Sequence, residues 1–302
     1  MIKTGNDLMK MVRKELGLNQ AQMAERMHMA QRTLVRIETG ERNLGILEYF
    51  LLMQILGAPT EDLLPLLLES KELKDYYTYK KLKNILKDWN IEEIENTLHK
   101  LENTPISKQP FVAQFISFVK ISIDEQMPHE QALKELYETL SMSIRSFDEA
   151  RVKYCRFTYV EICILLGISS KLEALGKPSC AIDIYKDLLE SRSNSLTTDE
   201  DKAMFLPAIL FNLSNVLGRT KKYKESLSYC MRAHEICISY ENYRLVPNIL
   251  YNMACCYRLL GEEEKIYQAY FIRAYHSARA MENKEMIDVT KKEAEKFGIL
   301  NM

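Results

Sequence analysis

Apolar residues recur along this chain at intervals of three and four, and strict alternation is almost absent, which is the signature of amphipathic helices. From Asn6 to Leu16 the apolar positions are Leu8, Met9, Met11, Val12 and Leu16, and Gly17 supplies a C-terminal stop. Asn19 is a candidate N-cap for a short helix whose inward residues are Ala21, Met23, Ala24 and Met27. After a break at His28-Met29, Gln31–Glu38 turns Leu34 and Ile37 inward and Gln31, Arg32, Val35 and Arg36 outward. Gly40 closes that helix, and Ile46–Leu56 forms a longer apolar one behind it.

Beyond residue 70 the helices come in pairs divided by short polar breaks. The periodicity predicts 71–88 with 91–103, 109–126 with 129–142, 155–175 with 178–191, 199–218 with 222–239, and 244–260 with 263–281, then a single helix over 284–297. "LPAILFNLSN" (206–215) and "VPNILYNMAC" (246–255) superimpose at an offset of forty, pairing Pro207 with Pro247 and Asn212 with Asn252. After a one-residue insertion the match continues at forty-one, with Tyr229 on Tyr270, Ala233 on Ala274 and Glu241-Asn242 on Glu282-Asn283. Self-similarity at this period indicates stacked helical hairpins. The fold class expected is all-α, with a small N-terminal domain over 1–69 and a helical repeat array over 70–302.

Composition narrows the function classes. The 302 residues are 47% hydrophobic and 27% charged with net charge −1, so a packed core forms and bulk charge does not drive binding to polyanions. Locally, residues 1–45 carry eight Lys/Arg (Lys3, Lys10, Arg13, Lys14, Arg26, Arg32, Arg36, Arg42) against five acids. All seven cysteines lie between Cys155 and Cys256 without framework spacing, which predicts reduced thiols. No stretch reaches eighteen apolar residues, so a cytoplasmic protein is expected. There is no G-x-x-x-x-G-K-[ST], H-E-x-x-H or G-x-S-x-G, and the five histidines share no ligand spacing, so neither enzyme activity nor a cofactor or metal is expected.

Two short helices joined by a tight turn, the second presenting Gln and Arg outward, suit the major groove, where Arg reads guanine and Gln reads adenine. "LNQAQMAERM" followed by "AQRTLVRIETGER" resembles the lambda-repressor-like (XRE) helix-turn-helix over roughly residues 6–69. The resemblance implies DNA contacts from Gln20 at the head of the first helix and from Gln31, Arg32, Thr33 and Arg36 on the recognition helix, with Arg42 beside it. Two positions depart from the pattern: His28 replaces the turn glycine, and Ala30 replaces the usual Ser/Thr cap.

The repeat half resembles the tetratricopeptide repeat at Leu210, Leu213, Ser214, Leu217, Tyr223, Ser226 and Ala233, and again at Leu250, Met253, Ala254, Tyr257, Gly261 and Ala274. With Leu210, Leu213 and Leu217 facing the partner helix, Asn212 and Asn215 fall on the other side, and Asn248 and Asn252, with Tyr251 and Arg258 nearby, repeat the arrangement. A carboxamide presents donors and an acceptor together and so clamps a peptide main chain whatever its side chains. The alternative is that Asn212 and Asn252 hydrogen-bond neighbouring helices and set the curvature of the array.

Together the two halves, and the phrase "FTYVEICILLGIS" (157–169), resemble the peptide-pheromone receptors of Gram-positive bacteria, the Rgg/PlcR/PrgX/NprR (RRNPP) group. That resemblance implies a right-handed superhelix of tetratricopeptide-like pairs and a homodimer binding a palindromic operator. It also implies a short imported signalling peptide held by residues at Asn212 and Asn252. The competing expectations are an XRE-type repressor whose repeats only dimerise, and an adaptor whose repeats bind a protein partner. Tyr76-Tyr77-Tyr79 with Lys80-Lys81 and Lys83 is expected to be a solvated helix joining the halves.

Overall fold

The computed structural model describes residues 5–56, 70–86, 89–145, 147–191 and 199–296. Among them every regular element is helical. Four helices form the N-terminal head: α1 (Gly5–Glu15), α2 (Gln20–Arg26), α3 (Gln31–Glu38) and α4 (Ile46–Leu56). The rest are α5 (Ser70–Ile85), α6 (Ile91–Glu102), α7 (Pro110–Ile123), α8 (His129–Ser141), α9 (Tyr159–Ala174), α10 (Pro178–Glu190), α11 (Asp199–Arg219), α12 (Tyr223–Ser239), α13 (Val246–Leu260), α14 (Glu264–Ala280) and α15 (Lys284–Lys296). The pairing expected from periodicity is therefore observed, with one shift: residues 155–158 are not helical, and a 3-10 turn over Glu149–Tyr154 precedes α9. The boundary expected after residue 69 borders 57–69, which lie outside the described residues. The chain divides into two compact units, one running through Lys171 and one beginning at Leu172.

In the first unit, the caps of the head follow its sequence. Asn19 accepts from the Gln22 amide at 2.9 Å, and the Gln22 side chain accepts from the Asn19 amide at 3.0 Å, a reciprocal capping box. Ala30 caps α3 with no side-chain bond, as its chemistry dictates. Met9, Val12, Met23, Leu34, Ile37 and Leu52 are fully buried and form the core of the head. Behind it, Tyr76 stacks on Phe50 of α4 at 4.6 Å, and Tyr79 packs edge-on against Phe115 at 5.2 Å. Tyr79 is only 3% exposed, so α5 is a core helix on this face rather than a solvated connector.

In the second unit the repeat is structural as well as sequential. Leu210, Leu213, Leu217, Ile249, Ala233 and Ala274 are completely buried. Small residues at 233 and 274 let neighbouring helices approach closely. The turns after α12 and α14 are built alike: Glu241 and Glu282 both take φ +54, and the Asn242 and Asn283 amides return to the Cys237 and Ala278 carbonyls at 2.9 and 3.0 Å. These are Schellman closures with a non-glycine residue in the left-handed region. After α13 the same place is filled by Gly261 at φ +78, where no side chain opposes the conformation.

Phe271 is fully buried, with Tyr251 edge-on at 5.4 Å. Phe271→Ala should destabilise the protein by about 3–5 kcal/mol, the range for deleting a buried aromatic ring. Urea unfolding followed by circular dichroism measures this, and a loss under ~1 kcal/mol would mean that α13 and α14 do not pack as described.

Candidate functional site

The second of the two short helices of the head, α3, is held from behind by one carboxylate. Glu38, at its C-terminal end, accepts from Arg13 Nε of α1 at 2.5 Å and from Arg13 Nη2 at 3.0 Å, and Gln20 Nε2 of α2 donates to the same carboxylate at 2.9 Å. Three helices are thus locked to each other through one side chain that is 3% exposed. Burial alone would raise the Glu38 carboxyl, but the hydrogen bonds from Arg13 and Gln20 outweigh it and hold it below its ordinary range. With its back fixed, α3 exposes Gln31, Arg32 and Arg36, and leaves Thr33 half-buried. Arg36 lies 3.7 Å from Glu41 with both side chains more than half exposed, a weak pairing that leaves the guanidinium available. Arg42 is paired with Glu48 at 2.9 Å, and Gln20 with Glu38, so both side chains are engaged within the head.

The turn of the head has partners that periodicity does not reveal. His28 takes the left-handed φ of +50 that a glycine would otherwise supply. Its half-buried ring hydrogen-bonds the Met142 backbone, and burial lowers its pKa against the pull of Glu161. Arg26 lies 2.9 Å from Glu161, which is 1% exposed. Glu161 also accepts from Ser143 Oγ at 2.8 Å and from the Thr158 amide at 2.7 Å. Ser143 Oγ in turn accepts from Gln114 at 2.8 Å. Within the first unit, α2 and its turn therefore rest on a buried polar network that begins "FTYVEICILLGIS".

In the second unit the asparagines divide. Asn252 Nδ2 of α13 donates to Ser214 Oγ at 2.9 Å, to Asn215 Oδ1 at 3.0 Å and to Cys230 Sγ at 3.3 Å. It thereby ties α13 to α11 and α12. Only half of each carboxamide is used: Asn252 Oδ1 and Asn215 Nδ2 have no partner among the described residues. Both asparagines line a pocket of about 380 Å³ with Gly218, Arg219, Tyr223, Cys255, Cys256 and Leu259. Asn212 and Asn248 are half-buried one turn earlier on their helices, with no hydrogen-bond partner among the described residues. Tyr251 packs on Phe271, with its hydroxyl pushed up to about 12 by burial first and by neighbouring Cys255. Arg258 is paired with Glu293 of α15 at 3.0 Å and lies 5.5 Å from the Phe271 ring centre, so it braces α15.

Several pocket residues carried no functional signal in the sequence. Gly218 also lines the pocket, and Cys255 and Cys256 are thiols whose pKa values burial raises, Cys255 to about 11. Ser214, a small repeat position, proves to be an acceptor for Asn252. Only an alignment of the two repeats in three dimensions brings these groups together. Among the described residues no group of His, Cys, Asp or Glu is arranged to hold a metal, and no helix is long and apolar enough to cross a membrane.

Comparison with known proteins agrees with both halves. Residues 9–63 match the helix-turn-helix family and residues 205–270 match the tetratricopeptide repeat. No curated protein matches the sequence. Among solved structures, PlcR of Bacillus thuringiensis in complex with the peptide PapR7 and DNA is 19% identical with a TM-score of 0.61, covering 100% of both chains. ComR of S. thermophilus, in complex with DNA and its signalling peptide ComS, is 15% identical with a TM-score of 0.58, covering 96% of this chain and 98% of that one. ComR of Streptococcus vestibularis with its cognate peptide XIP is 16% identical with a TM-score of 0.56, covering 99% and 100%. At these identities the shared property is the fold.

The Glu38 clasp gives a pH dependence with a definite sign. A carboxyl depressed in the folded state contributes stability that is present above its unfolded value near ~4.3 and is lost as pH falls through the lower folded value. Glu38→Gln should remove that acid-side slope and destabilise the head by roughly 1–3 kcal/mol at neutral pH. Melting temperature against pH for both proteins reads the effect, and superimposable profiles would exclude the clasp. Taken together, this chain joins a helix-turn-helix head of the XRE type to tetratricopeptide repeats in the fold of PlcR and ComR, and in both parts it resembles the RRNPP group.

Proposed function

We propose that this protein is a peptide-responsive transcription regulator. In this reading α3 reads operator DNA, and the pocket on α11 and α13 holds a short linear peptide by its main chain. The observation that carries the reading is the half-used pair of carboxamides. Asn252 spends its amide nitrogen on fixing α11, α12 and α13, which leaves its oxygen and the Asn215 nitrogen as an acceptor and a donor beside an open pocket. An acceptor and a donor held side by side are what an extended main chain needs from a receptor. Asn212 and Asn248, one turn away and with no hydrogen-bond partner among the described residues, extend the same row. The two readings of these asparagines thus coexist: Asn252 is a strut and a contact at once.

The exposed Gln31, Arg32 and Arg36 support the DNA half, since their neighbours Arg13, Arg26 and Arg42 are committed to carboxylates within the protein. Complexes of PlcR and ComR with DNA and signalling peptides are consistent with the same pair of partners here. We infer further that the protein acts as a homodimer on a palindromic operator, with Gln20, Thr33 and Arg42 beside the duplex backbone. For the peptide to act as a signal, it must bind one conformation of the protein better than another, because equal affinity shifts no equilibrium.

Two measurements test the halves separately. On a duplex enriched from a random pool, Arg32→Ala and Arg36→Ala should each lose about 1–3 kcal/mol and relax base preference. Wild-type affinity for both variants in salt-matched titrations would remove α3 from the interface. For the pocket, native mass spectrometry against a library of the host's short secreted peptides should yield a ligand that shifts operator affinity. Asn212→Ala should then lose that ligand while melting as wild type, and Asn252→Ala should lose both ligand and stability. Undiminished peptide binding by both variants would end the pocket assignment.

A further inference from the structure

A cavity of about 330 Å³ opens within the first unit, between the head and the segment that leads into α9. Leu16 and Leu18 from the α1–α2 junction, Ile55 of α4, and Ile144 and Phe147 from the segment after α8 give it apolar walls. Its volume falls in the range of about 300–1,000 Å³ typical of small-molecule sites. At a water's share of about 30 Å³, it has room for roughly ten non-hydrogen atoms. Stretches far apart along the chain meet there, so no local pattern in the sequence marks it.

One cation stands in the wall with its donors poorly used. Arg26 borders the cavity, is 12% exposed, and lies 2.9 Å from Glu161. That contact lacks the alignment of a hydrogen bond: Arg26 Nε and Nη2 are enclosed, and neither has a hydrogen-bond partner among the described residues. Glu161 is already supplied by Ser143 Oγ and the Thr158 amide, so it meets the charge of Arg26 without satisfying its donors. A buried donor without an acceptor calls for one. The two carboxylates bordering the cavity do not supply it. Glu25 accepts from the Arg145 amide, and Asp148 is exposed, where solvent screens it. Arg156 is a second, half-buried cation at the same cavity.

We propose that this cavity binds a small monocarboxylate with an apolar body, an aromatic or fatty acid of about ten non-hydrogen atoms. Its carboxylate pairs with the Arg26 guanidinium, and its body lies against Leu16, Leu18, Ile55 and Phe147. A guanidinium fork forms its strongest hydrogen bonds with a carboxylate or a phosphate. The apolar walls favour the carboxylate, and Glu25 and Glu161 beside Arg26 repel a dianion. The occupant touches the α1–α2 junction, α2, α4 and the segment after α8 at once, so it stabilises this seating of the head by mass action. The cavity shares no residue with the pocket on α11 and α13, so the inference stands whether or not that pocket holds a peptide.

The test uses the full chain with phenylacetate, hydrocinnamate and octanoate as probes. Binding is read by saturation-transfer NMR and by the rate at which N-ethylmaleimide labels Cys155, which borders the cavity. At least one acid should bind with a dissociation constant of about 1 mM or tighter and raise the melting temperature. It should slow labelling of Cys155 at least ~3-fold while leaving Cys255 unchanged. The primary amide of that acid should bind at least ~10-fold more weakly, as should the acid itself to Arg26→Gln. Ile144→Trp, which fills the cavity from a half-buried wall position, should lose the acid as well and keeps the test open if Arg26→Gln does not fold. Equal binding of acid and amide, undiminished binding by a folded variant, or no binding by any of the three acids at ~10 mM would each overturn the proposal. Slower labelling of Cys255 instead of Cys155 would also overturn it, assigning the acids to the pocket on α11 and α13.

Discussion

A half-buried amide in a stack of apolar helices is best matched to acceptors, and Asn252 finds them on two other helices. Its nitrogen meets Ser214 and Asn215 of α11 and Cys230 of α12, so the register of one repeat on the next is set by hydrogen bonds as well as by leucines. Leu210, Leu213 and Leu217 supply burial without direction, since apolar contacts tolerate small slides. The amide supplies direction, because a hydrogen bond holds only at a defined distance and angle. The same bond leaves Asn215 and Asn252 oriented with their unused halves at a pocket. The amide thus sets the register of three helices at a position where a leucine would supply burial alone.

The head follows a parallel logic with a charge in place of an amide. Glu38 collects Arg13 and Gln20, so α1, α2 and α3 are clasped behind the exposed row at Gln31, Arg32 and Arg36. His28 shows how a departure from the usual turn residue can be absorbed. A left-handed histidine is strained relative to glycine, yet its ring gains the Met142 backbone and a place beside Glu161, contacts a glycine lacks.

Charged side chains separate into those the protein uses on itself and those it leaves outward. Arg26, Arg42, Arg219 and Arg258 are committed to carboxylates of their own unit, and Arg258 braces the last helix in spite of its position near the asparagine row. Arg32, Arg232 and Arg273 are outward. That division is invisible to a charge count over residues 1–45, where all eight basic groups weigh equally.

Much of this was legible in the sequence, for definable reasons. Helix spacing fixes which residues share a face, so the helix pairs, the burial of Leu34, Ile37, Leu210 and Leu213, and the outward Gln31, Arg32 and Arg36 follow from periodicity. The forty-residue offset announced the repeat, and the N-cap at Asn19 was readable from its place before the first apolar residues of α2. What the sequence could not supply depends on groups far apart along it. Arg13 with Glu38, Arg26 with Glu161, Tyr76 with Phe50 and Asn252 with Ser214 meet only after helices have packed. Local spacing determines the face a side chain occupies, whereas its partner is chosen by which helices stand beside it, and that choice belongs to the tertiary structure.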